Sequence, residues 1–290
     1  MKQNAIAVMN TKGGVGKSTI VLGLAETLSA DHHLNVLVID SDAQASISYM
    51  LAGPKRLTDV QTEGRTLVGL LDEYVVKQRS ADWRDYVMSG VSDVDDARSV
   101  YLLPGDTELT LFERAVSKGG AEPALRRAVS VLLDELRSVF DVVLIDCPPG
   151  LSVVTESWLR ESDYHLSPTR PDFISACGLA FFRRFKQRNP EMGFADNIGL
   201  LVTMKDPRSQ VEAEFERWLR SDSSNNCFET TIPRSHAMQF AATYTSEIRS
   251  FHAKYPAEAG HAMRRLTREV LDRLSKQAQS ELKPATPGWN

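Results

Sequence analysis

Residues 11 to 19 read Thr11-Lys12-Gly13-Gly14-Val15-Gly16-Lys17-Ser18-Thr19, and no other stretch restricts the fold as tightly. A glycine-rich loop closing in Gly-Lys-Ser works only where a strand runs into it and a helix leaves it. Both flanks agree: Ala5-Ile6-Ala7-Val8-Met9 is an apolar run of strand length, and Ile20 to Leu28 has helical apolar spacing. The usual phosphate-binding form is G-x-x-x-x-G-K-[ST]. Here Thr11 replaces the first glycine, and Gly16-Lys17-Ser18 is intact.

The physical expectation follows from residue type. Glycines at 13, 14 and 16 allow backbone conformations closed to residues with a Cβ, so successive N–H groups can face phosphate oxygens, and the following helix presents its positive end to the same anion. Gly13, Gly14, Val15, Gly16, Lys17, Ser18 and Thr19 are thus expected to bind a nucleotide, with Lys17 on its β and γ phosphates and Ser18 on Mg2+. Lys12 has no such duty within one subunit; taken alone it reads equally as a solvated surface charge.

Two further acidic sites stand where this loop needs them. Val36-Leu37-Val38-Ile39 reads as a buried strand running into Asp40-Ser41-Asp42, and open α/β sheets bind ligands at that carboxyl edge. Asp40 suits Mg2+ or a hydrogen bond to loop groups, and Asp42 suits orientation of an attacking water. The plain alternative is a helix cap. Phe140-Asp141-Val142-Val143-Leu144-Ile145-Asp146 ends another apolar strand in aspartate, an arrangement that holds Mg2+ in P-loop NTPases. Ser18, Asp40 and Asp146 are the expected metal set, and Asp141 reads as a turn or cap.

Strands are expected near residues 4–9, 35–40, 99–103, 141–146, 163–167, 197–203 and 227–232, with helical patterns between most of them. This alternation specifies the α/β class, a mostly parallel twisted sheet with helices on both faces. At 290 residues and 42% hydrophobic content the chain can bury one such core. A single domain over 1–282 is expected, with 52–98 as a peripheral insertion and 283–290 as a flexible tail.

The whole string Lys-Gly-Gly-Val-Gly-Lys-Ser-Thr resembles the loop of the deviant Walker A ATPases of the ParA/MinD family, ParA/Soj-type partition proteins in particular. The likeness continues in Asp40-Ser41-Asp42-Ala43-Gln44, although the proline, glycine and asparagine of the family pattern are absent there. It extends through Asp146-Cys147-Pro148-Pro149, Val202 to Arg208, and Thr231-Ile232-Pro233-Arg234. The resemblance implies that ATP and Mg2+ sit inside a homodimer, with Lys12 reaching across to the partner's phosphates and Lys12, Lys17 and Asp42 carrying catalysis. Met204 and Pro233 are implied at the adenine. Slow hydrolysis stimulated by a ParB-like protein or other cargo adaptor is implied, as is non-specific DNA binding. Arg208 matches a basic position linked to DNA in relatives, whereas the second arginine and the acid that often follow Ile-Pro-Arg fall on Ala237 and Phe240.

Charge restricts how DNA could be bound. With 34 Lys+Arg against 38 Asp+Glu and a net charge of −4, contact requires a local patch. The candidates are Arg183, Arg184, Lys186 and Arg188, then Lys205 and Arg208, then Arg264, Arg265 and Arg268. No run approaches the roughly 18 apolar residues of a membrane span, and the opening Met-Lys-Gln-Asn lacks a secretory core. A cytoplasmic, nucleoid-associated protein without a stable membrane anchor is expected. Cys147, Cys177 and Cys227 show no metal-ligand spacing and no paired framework, and read as reduced and structural. One rival is a MinD-like membrane switch using the stripe Met263, Leu266, Val270, Leu271 and Leu274; another is a P-loop synthetase acting on a small carboxylate, which has no need of Lys12.

Overall fold

The computed structural model describes residues 3–281. Strands β1 (Asn4–Val8), β2 (Val36–Asp40), β3 (Val100–Leu103), β4 (Val142–Asp146), β5 (Tyr164–Thr169), β6 (Asp196–Lys205) and β7 (Thr231–Pro233) form one sheet in the order β3-β2-β4-β1-β5-β6-β7. Every neighbouring pair is parallel. Such strands are covered on both faces, which is why β1, β2 and β4 read as continuous apolar runs and are buried throughout.

One boundary differs from expectation. The last strand begins at Thr231 rather than 227, because helix side chains take up most of the preceding backbone groups. Glu269 accepts from the amides of Glu229 (2.7 Å) and Thr230 (3.1 Å), and Arg273 donates to the Cys227 carbonyl at 2.8 Å. Those groups therefore need no ladder partner.

The helices are α1 (Lys17–His32), α2 (Ser46–Thr62), α3 (Leu67–Leu71), α4 (Leu109–Gly119), α5 (Glu122–Arg137), α6 (Val153–Glu161), α7 (Phe173–Arg188), α8 (Gln210–Ser221), α9 (His236–Ala241), α10 (Phe251–Lys254) and α11 (Glu258–Glu281). On one face Val21, Leu24 and Leu28 of α1 share a core with Met263, Leu266 and Val270 of α11. On the other, Leu132, Leu133 and Leu136 of α5 pack with Trp158 of α6. Each such side chain contributes about 1.5–3 kcal/mol relative to exposure, and this clamps α1, and the loop feeding it, to the sheet. The two helices meet at Gly23, where a Cβ would lie 2.5 Å from the Met263 methyl.

Residues 52–98 connect β2 to the edge strand β3. Gly53 (φ 72°) and Pro54 break α2. Beyond the break, Leu57, Val60, Met88, Val91 and Val94 join the α1 core, while Leu67, Leu70, Leu71 and Trp83 join the other. The segment expected as a peripheral insertion is thus woven into both layers. The expected tail at 283–290 lies outside the described residues.

A buried ionic cluster ties this segment to α1. Lys254 donates to Glu26 (2.7 Å) and Asp93 (2.5 Å), Tyr255 donates to Glu26 (2.6 Å), and Arg249 donates to Asp93 (2.5 Å).

Candidate nucleotide-binding site

The loop between β1 and α1 turns on Gly14 (φ 70°) and Gly16 (φ 86°). Gly13 was expected to need the same freedom and does not take a positive φ. Gly16 is the N-cap of α1 with no side-chain cap, which leaves the first-turn amides free for an anion. Two residues overlooked in the sequence hold the loop in place. Asn10 donates from Nδ2 to the Pro168 carbonyl (2.7 Å) and accepts the Lys12 amide on Oδ1 (2.9 Å). The Thr203 hydroxyl bridges the Val15 carbonyl (2.8 Å) and the Thr169 carbonyl (3.1 Å). Their one signal was position: a polar residue at or just past the carboxyl end of an apolar strand.

Asp40 and Asp146 are register partners at the ends of β2 and β4, both fully buried. Asp40 Oδ2 accepts from the Ser48 hydroxyl (2.6 Å) and amide (3.0 Å), and Oδ1 accepts the Asp42 amide at 3.2 Å. Gly105 backs it so closely that a Cβ would fall 2.9 Å from its carboxyl carbon. Burial pushes this carboxyl up to about 6, against the pull of the Ser48 bonds. Of the two roles expected of Asp40, the loop-anchoring one is thereby filled. Ser48, missed in the sequence, is its main partner.

Asp146 is different. Both its oxygens are buried with no partner within ordinary hydrogen-bond distance, although the Ser18 hydroxyl is near enough to favour its charged form. Burial and then the neighbouring Asp40 raise its pKa well above the ordinary range, while the nearby Ser18 hydroxyl and the Lys17 ammonium act in the opposite sense. Lys17 itself is only 7% exposed. Unused lone pairs on a buried carboxylate, beside a hydroxyl and an ammonium at a helix start, fit a hydrated Mg2+ that shares a polyphosphate. Among the described residues no three or more His, Cys, Asp or Glu form a ready-made metal cage, as suits an ion bound through one or two carboxylates plus phosphate. Half-buried Asp42 stands between these strands and α2, accepting the Gln44 amide at 2.9 Å. Ser41 beside it is locked by the Trp158 indole at 2.8 Å. Asp141, expected as a turn or cap, instead ties the entries of β4 and β2 together by accepting the Asn35 amide at 2.8 Å.

A cavity of about 310 Å³ opens beside the loop, lined by Gly16, Thr19, Met204, Pro233, Met238 and Gln239. Met204 takes φ 54° where the β6–β7 register shifts, and its methyl lies 3.3 Å from where a Gly16 Cβ would be. Met204 and Pro233 are thus brought to the loop from more than 180 residues away in sequence.

Lys12 is held in place, though partly exposed. Its ammonium bonds both oxygens of Asp172 (3.0 and 3.1 Å) and the Ser175 hydroxyl (3.2 Å), and its side chain is 25% exposed. Asp172 also caps α7 by accepting the Ser175 amide at 2.8 Å. Burial works against that carboxylate, yet the Ser175 and Lys12 bonds hold it below its usual range.

Four of the nine basic candidates are engaged internally. Arg183 pairs with Asp222 (2.7 Å) and Asn225, Lys186 donates to the Ala195 carbonyl, Lys205 pairs with Glu216 and Arg264 with Asp31. Arg184, Arg188, Arg265 and Arg268 are exposed, and Arg208, 89% exposed, touches Asp206 at 3.2 Å. All three cysteines are free; Cys147 is buried, but Cys177 is exposed on α7 and so is not the structural residue expected.

A family model described as an AAA domain matches residues 3–192. The chain is 31% identical over 282 residues to the chromosome-partitioning ATPase Soj of Thermus thermophilus, covering 95% of this chain and 98% of Soj. It is 26% identical to the chromosome partitioning protein ParA of Caulobacter vibrioides, over 92% and 94% of the two chains. Among solved structures, an ATP complex of a Cyanothece McdA variant superposes with a TM-score of 0.75 at 18% identity, covering 94% of this chain and 97% of that one. A Borrelia burgdorferi plasmid partition protein bound to AMPPNP gives 0.70 at 20% identity, over 95% and 100%. With that coverage and the double-lysine loop in place, the chain belongs to the ParA/Soj family of P-loop ATPases.

Proposed function

We propose that this chain is a nucleotide-switched partition or positioning ATPase. ATP closes two copies into a sandwich dimer, the dimer binds DNA without sequence preference, and a ParB-like protein or another cargo adaptor stimulates slow hydrolysis that releases it. The cargo is a plasmid, a chromosome or another assembly, and the protein works in the cytoplasm on the nucleoid. The observation carrying this reading is Asp146: a carboxylate buried without a partner beside Lys17 and the open start of α1 is costly unless a cation and phosphates complete it.

Each residue then has a task. Lys17 and the loop amides hold phosphate oxygens, Ser18 and Asp146 hold Mg2+, and Asp42 orients the attacking water; the ion supplies neutralisation of phosphate charge. Met204 and Pro233 sandwich the base. Lys12 exchanges Asp172 for the other copy's phosphates. A pair exposed to this degree is worth no more than about 1 kcal/mol, so the exchange is cheap and reversible, as a population switch requires. For DNA, Arg184 and Arg208 are the available members of the expected set, and Arg183 must first leave Asp222. The membrane alternative loses ground because Met263, Leu266, Val270 and Leu274 are spent in the core, and among the described residues no helix is long and apolar enough to cross a membrane.

Retention of DNA fragments of unrelated sequence, measured with ATP and with ADP across a salt series, tests the reading. Binding that appears only with ATP and weakens steeply with salt supports it; no retention at any salt overturns it.

A further inference from the structure

A second cavity, of about 340 Å³, lies between α7 and the first halves of β5 and β6, toward the end of the sheet remote from the phosphate loop. Leu179 and Phe182 of α7 and Leu200 of β6 give it apolar walls, and Arg183 fastens one side by pairing with Asp222 at 2.7 Å. Ligand pockets run from roughly 300 to 1,000 Å³, so this one suits a small molecule.

Its floor is polar where a covered parallel sheet is ordinarily apolar. His165 and Ser167 stand two apart in β5 and pair in register with Asn197 and Leu200, the irregularity at Gly199 bringing all four to one face. His165 and Ser167 are both buried. His165 Nδ1 lies 2.9 Å from the Ala195 carbonyl; a carbonyl only accepts, so Nδ1 carries the proton and Nε2 is left as an acceptor. Asn197 donates from Nδ2 to the Asn225 carbonyl at 3.1 Å, which sets the direction of its amide, and its Oδ1 is buried without a partner. A buried acceptor that meets no donor is costly.

Lys186 adds a charge. Half-buried, it donates to the same Ala195 carbonyl at 3.0 Å and, among the described residues, enters no ion pair. Two donors converging on one oxygen make Lys186 and His165 immediate neighbours. The remaining N–H groups of Lys186 call for an anion, and His165 Nε2 and Asn197 Oδ1 call for hydroxyl donors close beside it. Water brings no charge to Lys186, and a bare anion leaves the acceptors unmet.

We infer that this cavity binds a small polyhydroxylated anion, a sugar phosphate or a sugar acid, with its charged group on Lys186 and its hydroxyls on His165, Asn197 and Ser167. The inference is independent of the dimer and DNA readings. The cavity lies against the second half of the helix whose first turn holds Lys12, so an occupant bears on the element that positions that lysine.

Calorimetric titration of the full chain tests it, with Mg-ADP saturating so that the phosphate loop is already filled. The probes are ribose 5-phosphate and gluconate, and the controls are ribose and inorganic phosphate. At least one probe is expected to bind with a Kd of about 1 mM, as befits so small a ligand, and each control at least about tenfold more weakly; the tighter probe tells phosphate from carboxylate. Lys186→Gln weakens the probe by about tenfold or more, with melting temperature and ADP affinity unchanged. In spectra of the chain labelled with 15N-histidine, the bound probe shifts the Nε2 resonance of His165 as its lone pair gains a donor, the signal being assigned by its loss in His165→Gln. Absence of binding by both probes at about 10 mM, controls that bind as tightly as the probes, or a bound probe that leaves the His165 resonance unmoved or ignores Lys186→Gln overturns the inference.

Discussion

Two groups of buried charge flank α1, and they are built in opposite ways. In the cluster of Glu26, Asp93, Arg249 and Lys254, two acids meet two bases, and every named carboxylate and ammonium is bonded. Tyr255 closes the set by donating to Glu26, and burial next to Glu26 drives its pKa well above normal. At the other end of the helix, Asp40 and Asp146 lie side by side and Asp146 has no partner. A protein that neutralises one buried cluster completely and leaves its neighbour open has reserved the second for something it binds. Both sets border α1, so occupancy of the loop and anchoring of the 52–98 segment act on the same helix.

The contrast can be broken by mutation. The largest effect is expected at the open end: Lys17→Ala abolishes ATP binding, so calorimetry at millimolar nucleotide shows no heat, while full affinity would remove Lys17 from the site. Next is the closed cluster. Lys254→Met leaves buried Glu26 with hydroxyl donors alone and Asp93 with Arg249 as its one cation, among the partners named, and costs about 3–5 kcal/mol in denaturant unfolding; a loss below about 1 kcal/mol would mean that the cluster is hydrated and open like the other.

His165 supplies a third, chemically separate test. Its ring contacts the Ala195 carbonyl at 2.9 Å, and burial, assisted by Lys186, lowers its pKa from 6.5 to about 4. The unfolded chain therefore binds more protons between those values. Stability attributable to neutral His165 is present above pH 6.5 and is lost as pH falls toward 4, by up to about 3 kcal/mol. Between pH 7.5 and 5, His165→Gln should lose correspondingly less stability than the parent; equal losses would place the acid sensitivity elsewhere. The smallest effect is expected from Asp146→Asn, which removes a buried carboxyl whose ionisation burial and Asp40 oppose and raises the stability of the nucleotide-free chain by about 1–2 kcal/mol, while Mg2+ no longer strengthens ATP binding. Destabilisation together with an intact Mg2+ effect would contradict the assignment.

Much of this was legible in the sequence because it is local. The loop, the acids closing apolar strands and the strand–helix alternation each occupy a few consecutive residues. The closed cluster was not legible: Glu26 and Lys254 are 228 residues apart and each reads alone as a surface charge. The same limit hid the partner of Lys12, since Asp172 looks like an ordinary helix cap, and it made Arg183 resemble a DNA contact when Asp222 already holds it. Asp40 illustrates the intermediate case. Its place at the strand end was evident, but Ser48 and Gly105, which decide how its oxygens are used, come from α2 and from beyond β3. Likewise β7 was placed too early because side chains of α11 satisfy backbone groups that an apolar pattern assigns to a ladder.

The central claim is that two copies close on nucleotide with Lys12 serving the other copy's phosphates. Light scattering of the full chain with a slowly hydrolysed ATP analogue and Mg2+, for the parent and for Lys12→Ala, tests it most directly. The account predicts a mass doubling for the parent alone, with Lys12→Ala monomeric and still able to bind the analogue. A parent chain that remains one subunit in mass across concentrations, or a Lys12→Ala chain that doubles as readily, would contradict it.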